Sequence, residues 1–257
     1  MAFPLFNSID LNTSNYITTE VEYRTIPNRE INLEPISRKP GKKYISNEFG
    51  ERRIKIIGFI IGSSTSDLQT KIDDLNTGIT RVSSGTLSFD SSRSITATLA
   101  SLTISDPQYS QTMVPFEMEF VAAAPFFEGT QQTANTTVVN AATSKTITTT
   151  ISGSVFAEPN ITFTATAGAG YTTTSGITVT YSPTSEYVTW SGGANFLAKG
   201  SSVQFDYANL RILQDATEVN SAGAFSRWEP GSTTFVVAFG GATQGGVLSL
   251  VYKPRYL

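Results

Sequence analysis

Two stretches of the chain have hydrophobic patterns that identify their structure directly. Between Arg52 and Ile61, charged and apolar residues alternate and then give way to an apolar run of Ile56, Ile57, Phe59, Ile60 and Ile61. That is the pattern of a strand whose second face becomes covered by a helix. The helix follows at once. Leu68, Ile72, Leu75, Ile79 and Val82 recur at steps of four, three, four and three, which aligns them on one face of a 3.6-residue spiral. Ser66 and Gln69 fit a capping box at its start, and Asp67 suits the positive end of the macrodipole. Gly78 costs about 1 kcal/mol against alanine there, so packing must offset it. Lys71, Asp73, Asp74 and Arg81 occupy the polar face.

Most of the remaining pattern predicts strands. In the first half they are expected at Thr86–Asp90, Ser94–Ile104 and Thr112–Ala122, the last with Val114, Phe116, Met118 and Phe120 on one face. Eight more are expected beyond residue 130: Lys145–Ile151, Asn160–Ala165, Ile177–Tyr181, Glu186–Trp190, Val203–Tyr207, Leu210–Leu213, Thr233–Phe239 and Val247–Tyr252. The expected fold is therefore mainly β. An α+β N-terminal domain, with one helix packed on an antiparallel sheet, precedes a C-terminal β-sandwich or jelly roll.

Charge places the boundary. Of the 39 charged residues, 27 lie in positions 1–128, whereas 129–202 hold only Lys145, Glu158, Glu186 and Lys199 among abundant Thr, Ser and Gly. Two domains are expected, 1–128 and 129–257. The one strong local bias is basic: Arg38, Lys39, Lys42, Lys43, Arg52, Arg53 and Lys55 are opposed only by Glu48 and Glu51. Pro40-Gly41 and Phe49-Gly50 mark turns, so this stretch reads as a projecting hairpin or loop leading into the Arg52 strand. It is a candidate partner-contact surface.

Composition narrows the chemistry. The chain has no Cys and no His, which removes the usual ligands of zinc, copper, haem and iron–sulfur centres and the histidine-based nucleophilic mechanisms. No cofactor or metal site is expected. A net charge of −3 argues against nucleic-acid readout driven by phosphate neutralisation. The first ten residues lack a signal-peptide pattern, and no segment approaches a spanning helix, so no membrane insertion is expected. Asp10-x-Asn12-x-Ser14 begins like a calcium loop but has Asn15 where glycine is required and Val21 where the bidentate glutamate belongs. Gly168-x-Gly170 lacks the third glycine of a nucleotide loop. Glu117 and Glu119 would lie about 7 Å apart on one strand face, within glycosidase range. They belong, however, to the solvent side of a strand whose other side is apolar.

The order Arg52-x-Ile54-x-Ile56-x-Gly58-Phe59-Ile60, the helix of Leu68, Ile72 and Leu75, Gly85-x-Leu87, and Pro115-Phe116 to Phe120 ending in Pro125-Phe126-Phe127 resembles the siphophage distal tail protein (Dit) family. The ending Leu248-x-Leu250-x-Tyr252-x-Pro254-x-Tyr256-Leu257 resembles the last strand of that family's C-terminal domain. The resemblance implies a non-enzymatic virion component, assembled in the host cytoplasm. Its N-terminal domain would form a homohexameric ring at the tail tip, with a galectin-like or OB-like β domain on the outside. The implied partners are the tail tube protein, a tail hub or tail-associated protein and, in some phages, a receptor-binding protein. An alternative is a carbohydrate-binding or adhesin module, for which Trp190 and Trp228 are the candidate sugar contacts. No large inserted sugar-binding module is present in this C-terminal half.

Overall fold

The computed structural model describes all residues except 1–3, 8, 38–39, 82–83, 108–111, 141, 167–175, 192–196, 198 and 241–243, together with the side chains of Asn47, Asn140 and Gln244. It divides into two compact units, Met1–Glu128 with Leu257, and Gly129–Tyr256. The architecture is mainly β, with one helix among the described residues.

The first unit contains β1 (Leu5–Phe6), β2 (Ile9–Asp10), β3 (Tyr16–Glu22), β4 (Arg29–Pro35), β5 (Lys42–Phe49), β6 (Arg52–Ile61), α1 (Thr65–Thr80), β7 (Gly85–Ser88), β8 (Arg93–Ile104) and β9 (Met113–Ala122). The strand path is β2-β1-β7-β8-β9-β6-β3. Strand β8 is long enough to serve two neighbours in succession, pairing with β7 over Ser94–Ala97 and with β9 over Thr98–Ile104. The inward faces of β6 and β9 supply Ile54, Ile56, Ile60, Val114, Phe116, Met118 and Phe120 to the core. Between them Gly58 sits so close to its neighbours that a Cβ there would meet the Ile17 backbone oxygen and lie 2.7 Å from the Phe116 ring.

Helix α1 lies on β6 with Leu68, Ile72, Leu75 and Ile79 buried as the periodicity requires. Val82 lies outside the described residues. The start of the helix differs from expectation. Ser64, not Ser66, is the N-cap, its hydroxyl accepting from the Asp67 amide at 3.2 Å. Ser66 is already inside the helix, and its carbonyl accepts from the Thr70 hydroxyl. Asp67 reaches back beyond the cap, accepting from the amide and hydroxyl of Ser63 and pairing with Lys71 at 2.8 Å. These partners hold the Asp67 carboxyl down at a pKa of about 2. Packing over Gly78 comes from Ile9, whose terminal methyl lies 3.0 Å from where a Cβ would stand.

The short strand β10 (Phe127–Gly129) leads into the second unit. There follow β11 (Gln132–Asn140), β12 (Ser144–Ile151), β13 (Asn160–Ala165), β14 (Ile177–Tyr181), β15 (Glu186–Trp190), β16 (Ser202–Asp206), β17 (Arg211–Gln214), β18 (Thr217–Val219), β19 (Ser221–Gly223), β20 (Gly231–Phe239), β21 (Gln244–Tyr252) and β22 (Arg255–Tyr256). Strands β11 to β21 form a six-stranded sheet, β11-β21-β13-β16-β17-β18, and a five-stranded sheet, β12-β20-β14-β15-β19. Inward residues of both, including Phe163, Phe205, Ile212 and Leu250 of the first and Val179, Tyr181, Val188, Phe235 and Val237 of the second, share one apolar cluster. This is a β-sandwich. On the five-stranded sheet, threonine hydroxyls meet across neighbouring strands, Thr148 with Thr234 and Thr178 with Thr189.

Candidate functional site

The surfaces of the first unit that stand out are those that water should not be left to cover. Strands β4 and β5 form a two-stranded sheet of their own. Their register sets Ile31, Leu33 and Pro35 on the face that also bears Phe49, Tyr44 and Lys42, while Glu30, Asn32 and Glu34 pair with Glu48, Ser46 and Lys43 on the other. Ile45 is the extra residue where the register shifts between Asn32 and Leu33. The hairpin is thus amphipathic, yet its apolar face is open: Ile31 is 59% and Tyr44 57% exposed. Its base is held. Phe49 packs edge-on against Phe126 at 5.3 Å, and the Arg29 guanidinium lies 4.8 Å over the Phe49 ring.

The second surface is the outer flank of β3, which has a strand neighbour on one side only, β6. Its first half is covered by the preceding turn, where the Asn12 side-chain oxygen accepts from the Thr18 amide and the Thr18 hydroxyl donates to the Leu11 carbonyl. Along its second half runs a groove of about 240 Å³, lined by Thr19, Glu20, Val21, Tyr23 and Phe89 among others. Tyr23 stacks on Phe89 at 4.3 Å, and this pair also walls a second cavity of about 300 Å³ that includes Arg24, Asp90, Arg93 and Phe127.

The expected basic surface is only partly realised. Lys42 and Lys43 are exposed on β5, whereas Arg38 and Lys39 lie outside the described residues. Arg52 is a correction, because it is buried. Its Nε donates to Pro125 O and its Nη1 to Tyr23 O, both at 2.7 Å, and its guanidinium lies 4.8 Å over Phe127. Burial pushes its pKa down, but a guanidinium remains charged, so Arg52 fastens the base of the hairpin. Arg53 faces outward and is engaged by Glu51 at 2.7 Å and Glu119 at 3.1 Å, while Lys55 pairs with Glu117 at 2.8 Å. The two glutamates therefore form a cross-strand charge ladder with Arg53 and Lys55.

The expected sugar contacts also need correction. Trp190 is 1% and Trp228 0% exposed. Trp228 stacks on Tyr181 at 5.2 Å and packs against Phe235 at 4.9 Å. Neither indole can offer a face to a ligand. Tyr187, three residues before Trp190, points to the opposite side and is exposed. Among the described residues no group of three acidic side chains could hold a metal ion, and no helix is long and apolar enough to cross a membrane.

Comparison with known proteins places these features in a class. Residues 6–122 match the family model of the phage tail protein RIFT-related domain. The whole chain, 100% of both partners, superposes on the Dit protein of phage SPP1 with a TM-score of 0.74 at 15% identity, a protein described as a paradigm of the hub adsorption apparatus in phages infecting Gram-positive hosts. A chain of the phage P2 baseplate in its calcium-activated conformation follows at a TM-score of 0.45 and 9% identity, over 98% of this chain and 97% of that one. No curated protein matches the sequence. The match to the phage tail protein model thus falls within the first unit, and the complete chain shares the fold of the SPP1 Dit protein.

Proposed function

We propose that this chain is a structural adaptor of the tail tip. Its first unit closes a ring of six copies that joins the tail tube to the tail hub. The observation that supports this reading best is the layer β3-β6-β9-β8. Each neighbouring pair in it is antiparallel, so with four strands the two outer ones run in opposite directions. A copy turned about an axis along the strands can then bring its β8 beside β3 in antiparallel register. The contact joins two different patches, so it is heterologous and generates a ring if the rotation closes. Strand β7 pairs with β8 only as far as Ala97, β10 also pairs with β8, and the second half of β3 borders the groove; the part of the β8 flank beyond its partners and the free flank of β3 are the edges we assign to the contact.

The role is mechanical, not catalytic. Glu117 and Glu119, the one carboxylate pair with plausible spacing, are engaged by Lys55 and Arg53. The adhesin alternative loses the two indoles that motivated it. Light scattering on the purified protein is expected to give six times the 27.7 kDa chain mass, and negative-stain images six-fold rings. Antibody labelling of intact particles should mark the tail tip, and an unlabelled tip would refute the assignment.

A further inference from the structure

We propose that the outer face of the five-stranded sheet binds a neutral glycan chain, with Tyr187 as its stacking platform. The inference does not depend on the ring reading and adds a ligand site which that reading does not contain. The cross-strand registers lay out the face. Tyr187 stands directly opposite Thr180 of β14, Thr180 opposite Val236 of β20, and Val236 opposite Thr146 of β12. At about 4.8 Å between strands, this row is roughly 14 Å long. The next row on one side holds Thr189 and Thr178, and the next on the other side holds Thr234 and Thr148. The residues that alternate with them, such as Val179, Val188 and Val237, belong to the core.

Three properties of this face select a sugar. The first is charge. Among the described residues the face carries no charged side chain, whereas roughly 25–35% of an ordinary soluble surface is charged. It therefore complements neither a polyanion nor a charged protein surface. The second is the ordering of its hydroxyls. Thr178 and Thr189 are hydrogen-bonded at 2.9 Å, and Thr148 and Thr234 at 3.2 Å. Within each pair one hydroxyl donates to the other, so the accepting hydroxyl keeps its own proton to donate outward. The third is the way Tyr187 is held. A Cβ at Gly223, whose φ is +98°, would meet the Tyr187 carbonyl oxygen and lie 3.3 Å from its ring. The ring thus rests against bare backbone that only glycine supplies, yet it is 53% exposed. It offers a fixed aromatic surface to the apolar side of a pyranose, with threonine hydroxyls beside it for the sugar's own. A flat row of this length suits an extended chain better than a single sugar.

The test uses the full-length chain and three probes, the linear hexasaccharides of glucose, galactose and N-acetylglucosamine, each titrated by calorimetry. At least one should bind saturably. Raising the salt from about 0.05 to 0.5 M should leave its affinity within twofold, because no charge contributes. Tyr187→Ala should weaken binding at least tenfold and Tyr187→Phe less than twofold, with the fluorescence of Trp190 and Trp228 unchanged in both, as in an intact sandwich. Thr180→Lys, which sets a long charged side chain across the row, should weaken binding as Tyr187→Ala does. The proposal is overturned if none of the three probes binds, if Tyr187→Ala binds as the wild type does, or if binding falls steeply with salt and so belongs to a basic surface elsewhere. A sugar-free wild type that pairs with a second copy, where Tyr187→Ala does not, would make the face a contact between copies and overturn it as well. Failure of the protein to form rings changes none of these outcomes, so the two readings fail separately.

Discussion

At the scale of single residues, the side chains that matter most are those for which the fold leaves no room or no water. Gly58 is the clearest. Adding a methyl group brings it against the backbone oxygen of Ile17 and the ring of Phe116, and backbone cannot turn aside as a flexible side chain can. Gly58→Ala is expected to cost about 1–3 kcal/mol, as overpacking of a dense core does, measured by urea unfolding of the first unit. Asp67 makes a different prediction. Its folded pKa of about 2 lies below the ordinary 3.8, so its contribution to stability is present above the ordinary value and is lost as pH falls through the folded one. The melting-temperature difference between wild type and Asp67→Asn should hold steady from pH 7 to about 5 and shrink towards zero between pH 4 and 2. Its capping role was half legible. Asp67 is a plain first-turn acid, but three serines surround it at 63, 64 and 66, and only the extended backbone of Ser64 (φ −150°, ψ 168°) decides which one caps.

At the scale of elements, periodicity revealed those with one buried face and missed those without. Strand β6 and helix α1 were legible because their apolar positions recur at two and at 3.6. The same holds for β13, β14 and β15, which occupy the bounds their sequences imply. Strand β3 was not, because the bulge at Thr19 slips the register between Thr18 and Glu20 and breaks the alternation. Strand β11, Gln132–Asn140, is polar along most of its length because it lies at the sheet edge and pairs only with β21. The hairpin was legible from Pro40-Gly41 and Phe49-Gly50 as a projection, but its apolar face was not, since apolar residues such as Ile31, Leu33 and Tyr44 carry no mark of exposure in the sequence and only the structure shows them uncovered. Arg52 shows the converse. A charged residue opening an alternating strand reads as surface, yet two backbone carbonyls and the Phe127 ring replace part of the water it gives up, while its Nη2 is buried without a hydrogen-bond partner.

At the scale of the whole molecule, the two units have separate cores, and the chain supplies a separate probe for each. Both tryptophans, Trp190 and Trp228, lie in the second unit, while the one described helix, α1, lies in the first. Tryptophan fluorescence therefore follows the sandwich, and helical circular dichroism follows the first unit. Trp228→Ala should lower the stability of the sandwich by about 3–5 kcal/mol, as removal of a large buried aromatic does. The transition read from the remaining Trp190 should move, and the helical one should stay in place. Gly58→Ala should do the reverse. Protein concentration supplies the third arm. If the first unit closes the ring, mass action stabilises it as concentration rises, so the helical melting temperature climbs with concentration while the fluorescence transition does not. Equal movement of both signals would mean that assembly is not a property of the first unit, and the open flanks of β3 and β8 would then lose their role.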